Sequence, residues 1–533
     1  MNTSVKRRGK SLIAASAAAA MLMGVAACGS GGDKAAVDEN GKPIVTIMSA
    51  KNSQTKIKPS ETEWFKELEA ACDCTIQWDT VSVDAWQQQK AAVLTSGEVA
   101  DISIALFAQA DLAGYPYFED LSDDLDQLPS VKKFFEDRDY ARKSATTMDG
   151  NIYQIPNDVV SQGESNATGQ TFLINKTWLD NLGLEIPRTW DELTAVLEAF
   201  KTQDPNGNGE ADEIPWNIRA METSGFGWYS PFQLVNSTGI STASTMSPAG
   251  PEGIYVKDGK VGNFLQTDNF RQVVEYLSEL TSKGLIPKAG WTKDDSKWNS
   301  ELKSDGKTAI TGMAVTWDTT SFGDLEDQYV SIPVPSATDN PDDATAEQAQ
   351  LASYDGMAIK ADAPNKDAIF KVVEKMMDTD VSVAQYFGDL GEYVKKNGDM
   401  SYEIPQDQYD AVSAGDYGMG NRGYSYFPEG IEIKNAPVEH FDETSRIYRE
   451  QAPGLDSDDY WPGYVIPNDE DAKTLSDNRT QLLNYVVTQV SQWVSDGGLD
   501  DAAWDEFQGK IKSLGVEDNV KIWQKWYDEY AKL

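Results

Sequence analysis

Histidine is almost missing from this chain: His440 is the single one in 533 residues. A Ser-His-Asp triad would have to be built on it. It sits in Pro437-Val438-Glu439-His440-Phe441, and no nucleophile-elbow sequence occurs anywhere. Cysteine is scarce too, with three residues, two of them in Ala71-Cys72-Asp73-Cys74. One intervening residue and no nearby histidine cannot supply four zinc ligands. An oxidised small ring and two packed thiols both remain compatible with that spacing. No apolar run reaches the ~18 residues that span a bilayer. Positive charge is short: 46 Lys and Arg face 86 Asp and Glu, a net charge of −40. Nucleic acid and anionic lipid surfaces need basic patches and are disfavoured. No period of 20–50 residues recurs, which excludes solenoids and propellers.

What is present is ample apolar material. Forty per cent hydrophobic residues and 15 tryptophans build large cores rather than a disordered stalk. About 500 residues beyond the leader imply more than one domain or lobe. That leader is legible: Lys6, Arg7, Arg8 and Lys10 precede an alanine-rich run from Leu12 to Val25, then Val25-Ala26-Ala27-Cys28. A charged start, a short apolar stretch and small residues before the cut mark a secretory signal. Cysteine directly after them resembles the bacterial lipobox. We expect residues 1–27 to be a lipoprotein signal peptide and 28–42 a flexible tether. Cys28 is then the lipidated, palmitate-bearing first mature residue, and the chain sits on the extracellular face of the cell membrane.

Periodicity predicts an α/β organisation. Ile44–Met48 reads as a buried strand, Thr75–Val81 and Asp101–Ile104 as two more. Ser60 with Glu63, and Asp84 with Gln87, read as the starts of intervening helices. This βαβ alternation predicts a mainly parallel sheet. Thr189-Trp190-Asp191-Glu192 is another capping box, with Leu193, Val196, Leu197 and Phe200 as its core stripe. Further amphipathic helices are expected at Phe270–Leu280, Asp367–Met377, Arg479–Val494 and Val520–Leu533.

Asp204-Pro205-Asn206-Gly207-Asn208-Gly209-Glu210-Ala211-Asp212-Glu213 carries oxygen donors at alternating positions around two glycine turns. Asp204, Asn206 and Asn208 at i, i+2 and i+4, followed by Gly209, match the start of an EF-hand calcium loop. Position twelve is Pro215 rather than a bidentate glutamate, so Asp212 and Glu213 must close the shell, with Glu210 giving its backbone carbonyl. A solvated acidic turn is the alternative, since Asp-Pro-Asn-Gly is turn chemistry in itself.

Four segments, in order, carry a family resemblance: Ser96–Ile102, Asp149–Pro156, Asn175–Leu193, and Gly306–Gly312 with Trp317. Together they resemble the extracellular solute-binding proteins, family 1, that feed carbohydrate ABC importers. The calcium loop is similar to that of the larger oligosaccharide binders, such as alginate-oligosaccharide-binding members. The resemblance implies a two-lobed periplasmic-binding-protein-like fold of type II, with a ligand cleft between lobes joined by hinge strands. It places lobe 1 at 43–158 plus 350–430 and lobe 2 at 159–349 plus 431–533. It implies a monomeric substrate-binding lipoprotein that delivers an oligosaccharide to ABC permease subunits, with structural calcium and no catalysis. A surface adhesin or sensor partner and an anchored glycoside hydrolase are the alternatives; the latter needs two carboxylates about 5–9.5 Å apart.

Sugars offer a flat C–H face to aromatic rings and a hydroxyl edge to polar side chains. Aromatics in loops are therefore the candidates: Trp317, Trp291, Trp228, Trp461, and Tyr354 with Asp355. Trp178, Trp190, Trp504, Trp523 and Trp526 fall on helical patterns and are expected in cores.

Overall fold

Among the described residues thirteen strands form, in the order β1 (Ile44–Lys51), β2 (Thr75–Ser82), β3 (Ile102–Ile104), β4 (Thr171–Asn175), β5 (Ile214–Trp216), β6 (Ile254–Lys257), β7 (Lys260–Asn263), β8 (Thr311–Thr316), β9 (Tyr329–Ile332), β10 (Met357–Ile359), β11 (Lys395–Gly398), β12 (Ser401–Glu403) and β13 (Glu432–Lys434). This computed structural model describes residues 36–51, 55–158, 170–221, 226, 228–245, 247, 249–348, 356–437, 446–454, 457–462 and 465–532. Cys28 with its leader, Tyr354, Asp355 and His440 lie outside them. Among the described residues no helix is long and apolar enough to cross a membrane.

The first sheet has the order β10-β3-β1-β2. β1 runs parallel to both β2 and β3, as the βαβ pattern requires, and β10 closes the edge antiparallel. Helices Glu63–Cys72 and Val83–Ser96 are the crossovers. Their caps differ from the sequence expectation. Ser60 lies in a short 3₁₀ turn, and it is the Thr62 side chain that accepts the Phe65 N–H. Likewise Ser82, not Asp84, caps the second helix by accepting from Ala85. Both hydroxyls stand one position before the helical run, where the orphan N–H groups point at them. Cys72 and Cys74 are disulfide-bonded, with Cα atoms 5.1 Å apart.

The second sheet, β5-β8-β4-β9, is mostly antiparallel. β4 pairs antiparallel with β8 and β9, and only β5 runs parallel to β8. All five β4 residues are buried, as expected of a central strand covered on both faces. Thr189 caps the helix Trp190–Thr202 as the sequence indicates, and Leu193, Val196, Leu197 and Phe200 are buried along it. The expected Arg479–Val494 helix is part of a longer one, Asp469–Asp496.

The molecule is two-lobed. One core gathers Val45, Leu68, Ile102, Met357 and Ile369. A second gathers Phe172, Leu193, Trp216, Phe270, Val315 and Val486. Smaller clusters surround Tyr402 and Phe427 in one place and Trp461 and Trp523 in another. Trp178 and Trp504 belong to the second core, while Trp523 and Trp526 pack in the last cluster. Core membership switches between Ile155 and Phe172, between Ala346 and Met357, and between Ala436 and Tyr448.

Candidate functional site

Three local devices of the second lobe bring aromatic rings to one place. β8 ends at Thr316, and the chain turns at Asp318, whose carboxylate accepts the Thr320 N–H at 3.0 Å. That turn leaves Trp317 partly exposed. Trp228 and Tyr229 precede a 3₁₀ helix, Pro231–Thr238, started by Ser230 accepting from Phe232. Helix Asp295–Lys303, capped by Asp294 at the Lys297 N–H, contributes Asp295, Trp298 and Asn299.

The result is an open depression of about 450 Å³ lined by Arg219, Trp228, Tyr229, Asp295, Trp298, Asn299 and Trp317. The Trp228 and Trp317 rings lie 6.0 Å apart at 47°. Trp228 and Tyr229 are separated by 5.9 Å, and Tyr229 stacks on Trp298 at 5.6 Å and 23°. Four rings thus form a stepped wall. Such a wall presents π-faces to C–H bonds, and a few polar groups beside it can fix orientation.

Those polar groups are held in place. Arg219 donates to Asp295 through Nε at 2.9 Å and Nη2 at 2.6 Å, and its Nη1 donates to the Trp228 carbonyl at 3.2 Å. Hydrogen bonding to this guanidinium holds the Asp295 carboxyl below its ordinary range. Behind the wall, buried Lys293 donates to Glu301 at 2.8 Å and also to Asn217. Burial lowers the pKa of that ammonium, while Glu301 opposes the shift.

Tyr229 has φ +62°, a left-handed conformation that a side chain makes costly. Its N–H donates to the side-chain oxygen of Gln170. Gln170 in turn donates to Glu347 at 3.0 Å and to Thr245 at 2.9 Å. Glu347 also accepts from Gln233 and from the Thr245 N–H. Burial raises its pKa, and these hydrogen bonds pull it back.

Of the aromatics proposed from sequence, Trp317 and Trp228 are brought together and two others are not. Trp291 is 3% exposed in the second core, with its indole N–H donating to Thr281 at 3.0 Å. Trp461 is 1% exposed and packs edge-on against Trp523 at 5.5 Å. Both occupy loop-like sequence, but their rings fill cores and offer no open face. Sequence reasoning passed over Trp298, Arg219, Asp295 and Asn299. Trp298 and Leu302 share a buried helix stripe, so nothing in the pattern distinguishes the ring that also edges a pocket.

A second cavity, about 360 Å³, lies between Gln109 and Thr147–Asp149 on one side and Asn468, Trp526 and Tyr530 on the other. Gln109 is buried, and neither of its amide atoms has a hydrogen-bond partner.

In the acidic loop, the Asp204 carboxylate accepts the N–H groups of Asn208 and Gly209, each at 3.1 Å. Asn206 Oδ1 accepts from Asn208 at 3.0 Å, and Asn208 Oδ1 accepts from Glu210 at 2.7 Å. The amides of Asn206 and Asn208 both reach Asp212 at 3.2 Å. Among the described residues no three His, Cys, Asp or Glu side chains converge as a metal cluster. The loop's donors are instead a mixture of amides, carboxylates and a carbonyl. One observation fits a cation: Glu213 Oε1 is buried with no hydrogen-bond partner. Burial, then Asp212 and Asp204, raise the pKa of this carboxyl.

Residues 52–383 match the family model described as bacterial extracellular solute-binding protein. The chain belongs to that family. An HMO binding, ABC-transporter associated solute-binding protein from Bifidobacterium longum infantis ATCC 15697 is 43% identical, with a TM-score of 0.86 over 92% of this chain and 99% of that one. The fructooligosaccharide ABC transporter substrate-binding protein FusA of Streptococcus pneumoniae serotype 4 is 25% identical over 92% of this chain and 91% of its own length. A FusA EF-hand mutant in complex with fructo-nystose superimposes with a TM-score of 0.74 at 23% identity, over 92% of this chain and 99% of that one. That last likeness speaks for the fold.

Proposed function

We propose that this solute-binding protein captures an oligosaccharide outside the cell and hands it to an ABC permease without converting it. The aromatic wall of Trp228, Tyr229 and Trp317, with the buried Trp298 stacked beneath Tyr229, carries the reading. Its rings stack on pyranose or furanose faces, while Asp295 and Asn299 meet hydroxyls at the edge. The naming of relatives as ABC-transporter-associated, HMO-binding and fructooligosaccharide-binding proteins supports the substrate class.

Capture ends in closure. Lobe 1 comprises residues 43–158 and 350–430, and lobe 2 comprises 159–349 and 431–533; the first two switches of core membership support this division, while the pairing of β13 with β12 moves the last crossover to between Ala436 and Tyr448. A ligand that touches both lobes favours the closed population, which the permease recognises. Cys28 tethers the protein to the membrane through its lipid.

Calcium has a structural role in the acidic loop. Asp204, Asn206, Asn208, Asp212 and Glu213 would hold it with side-chain oxygens, and Glu210 with its carbonyl. The orphaned Glu213 oxygen and the EF-hand of FusA support this. When bound, the ion supplies charge compensation to the loop that joins the helix Trp190–Thr202 to β5.

Titration calorimetry with a panel of neutral and acidic oligosaccharides tests the reading. Binding to one class is expected, and Trp317→Ala should weaken it at least tenfold. Unchanged affinity in that variant would displace the site from the wall, and consumption of the glycan during incubation would overturn the non-catalytic reading.

A further inference from the structure

We propose that Asp295 is a specificity-determining residue: by neutralising Arg219 it restricts the aromatic pocket to neutral oligosaccharides and keeps acidic ones out. This rests on the reading of that pocket as sugar-binding. Among the described residues lining it, Arg219 is the only basic side chain. A guanidinium fork is the group best shaped to grip a sugar carboxylate, through two parallel N–H···O bonds. Here the protein fills the fork itself. Nε and Nη2 both donate to Asp295, at 2.9 and 2.6 Å, and Nη1 is turned to the Trp228 carbonyl.

The geometry makes the pair a neutral unit at the pocket wall. Arg219 has a side chain only 18% exposed, while that of Asp295 is 55% exposed. The cation is therefore covered, and the visible partner is the carboxylate. Lone pairs left free on Asp295 accept sugar hydroxyls, which a neutral ring supplies. A uronate or sialyl carboxylate meets the same oxygens as a like charge. Asp318 adds to that field: burial is the main cause of the raised pKa of the Tyr229 hydroxyl in the same wall, the Asp318 charge adds to it, and the Arg219 charge opposes it. Two further cations are near, and both face Glu301: Lys293, its side chain 5% exposed, at 2.8 Å, and the exposed Lys297 at 3.9 Å. An acidic ligand would have to expel Asp295 from Arg219, and an arginine-bound carboxylate stays ionised and in place.

The pair is set by local structure. Asp295 opens the helix Asp295–Lys303, and Arg219 follows directly on the segment that extends β5. A purely structural ion pair joining these two elements would leave ligand selectivity unmoved when its charge is changed, which separates the two roles.

The test uses calorimetry on the full lipid-free chain with matched probes: lacto-N-tetraose with its sialylated form, and kestose with trigalacturonate. Native protein is expected to bind a neutral member at least tenfold more tightly than its acidic counterpart. Asp295→Asn keeps the shape and frees the Arg219 charge. Its ratio of acidic to neutral affinity should rise at least tenfold, and the gain should fade with added salt. Arg219→Met in the same background should remove the gain, and melting curves establish that each variant is folded. Native binding of an acidic member as tight as the neutral one overturns the inference while leaving the sugar-binding reading intact. So does an unchanged ratio in Asp295→Asn. If native protein binds none of a wider oligosaccharide panel, the sugar-binding reading falls and this inference with it.

Discussion

Gln170 holds the backbone of Tyr229: its side-chain oxygen accepts the Tyr229 N–H, while its amide donates to Glu347 at 3.0 Å. Gln170 and Glu347 sit beside two of the three places where the chain changes core, between Ile155 and Phe172 and between Ala346 and Met357. One hydrogen-bond network therefore links the lobe connections to the aromatic wall. Removing Gln170 leaves the Tyr229 N–H and part of the Glu347 carboxylate unpaired, a loss of about 1–3 kcal/mol for a buried polar group. Gln170→Ala should release Tyr229 from its left-handed conformation and unstack it from Trp298. Sugar affinity is expected to fall roughly tenfold, equivalent to about 1.4 kcal/mol. Calorimetry reads this directly, and native affinity in the variant would sever the proposed link.

Trp317 and Trp291 separate binding from folding. Trp291 is a core ring hydrogen-bonded to Thr281, so Trp291→Phe should lower stability by roughly 1–3 kcal/mol through lost packing and one lost hydrogen bond, although the Thr281 hydroxyl still donates to the Leu277 carbonyl. Its sugar affinity should stay within a factor of about two, whereas Trp317→Ala shows the reverse pattern in paired urea-unfolding and binding measurements. A selective binding defect in Trp291→Phe would return that residue to the site.

The sequence made the lobe containing β1 legible because its signals are local. Its three parallel strands are short runs rich in β-branched residues, and its two crossover helices start at hydroxyl caps within two residues of the expected ones. The second sheet was less visible. β5, β8 and β9 come from distant parts of the chain around β4, and antiparallel pairing at that separation leaves no periodic mark. The site followed the same rule. Trp317 and Trp228 stood out as aromatics in loops, but Trp291 and Trp461 stood out equally, since sequence context does not report which way a loop ring turns. Arg219 and Asp295 are 76 residues apart, and only the fold shows that they form a pair.

The acidic loop should reveal its ion through opposite responses of one variant. Without metal, the Glu213 carboxylate is buried near Asp212 and Asp204, and its raised pKa reports that stress. Glu213→Gln relieves the repulsion, so in chelator the variant should be at least as stable as native protein. With calcium the order reverses, because a charged ligand is gone. Native protein should gain about 2.7 kcal/mol when calcium exceeds its dissociation constant a hundredfold, and the variant clearly less. Thermal melts with chelator and with calcium provide the comparison. Equal calcium responses in the two proteins would remove Glu213 from the ligand set.

Glu252 should make stability depend on pH in the direction opposite to an ordinary surface carboxylate. It is 2% exposed, and its Oε2 accepts from Trp523 at 3.1 Å and from Asn519 at 3.3 Å. Burial pushes its carboxyl up from 4.5 to about 7, despite those donors and the nearby Arg479. The folded state therefore keeps a proton that the unfolded state releases above about 4.5. The contribution to stability is fully present below that value and is lost as pH rises through about 7. At roughly 1.4 kcal/mol per unit, the loss is on the order of 3 kcal/mol at pH ~8. Glu252→Gln cannot ionise, and its carbonyl can accept from the same two donors. The variant should exceed native stability by that amount at pH ~8 and by less than about 1 kcal/mol at pH ~5. Subtracting the two urea-unfolding curves at each pH cancels the other carboxylates. A difference that stays constant between these conditions would show that Glu252 is ionised, and compensated, throughout the range.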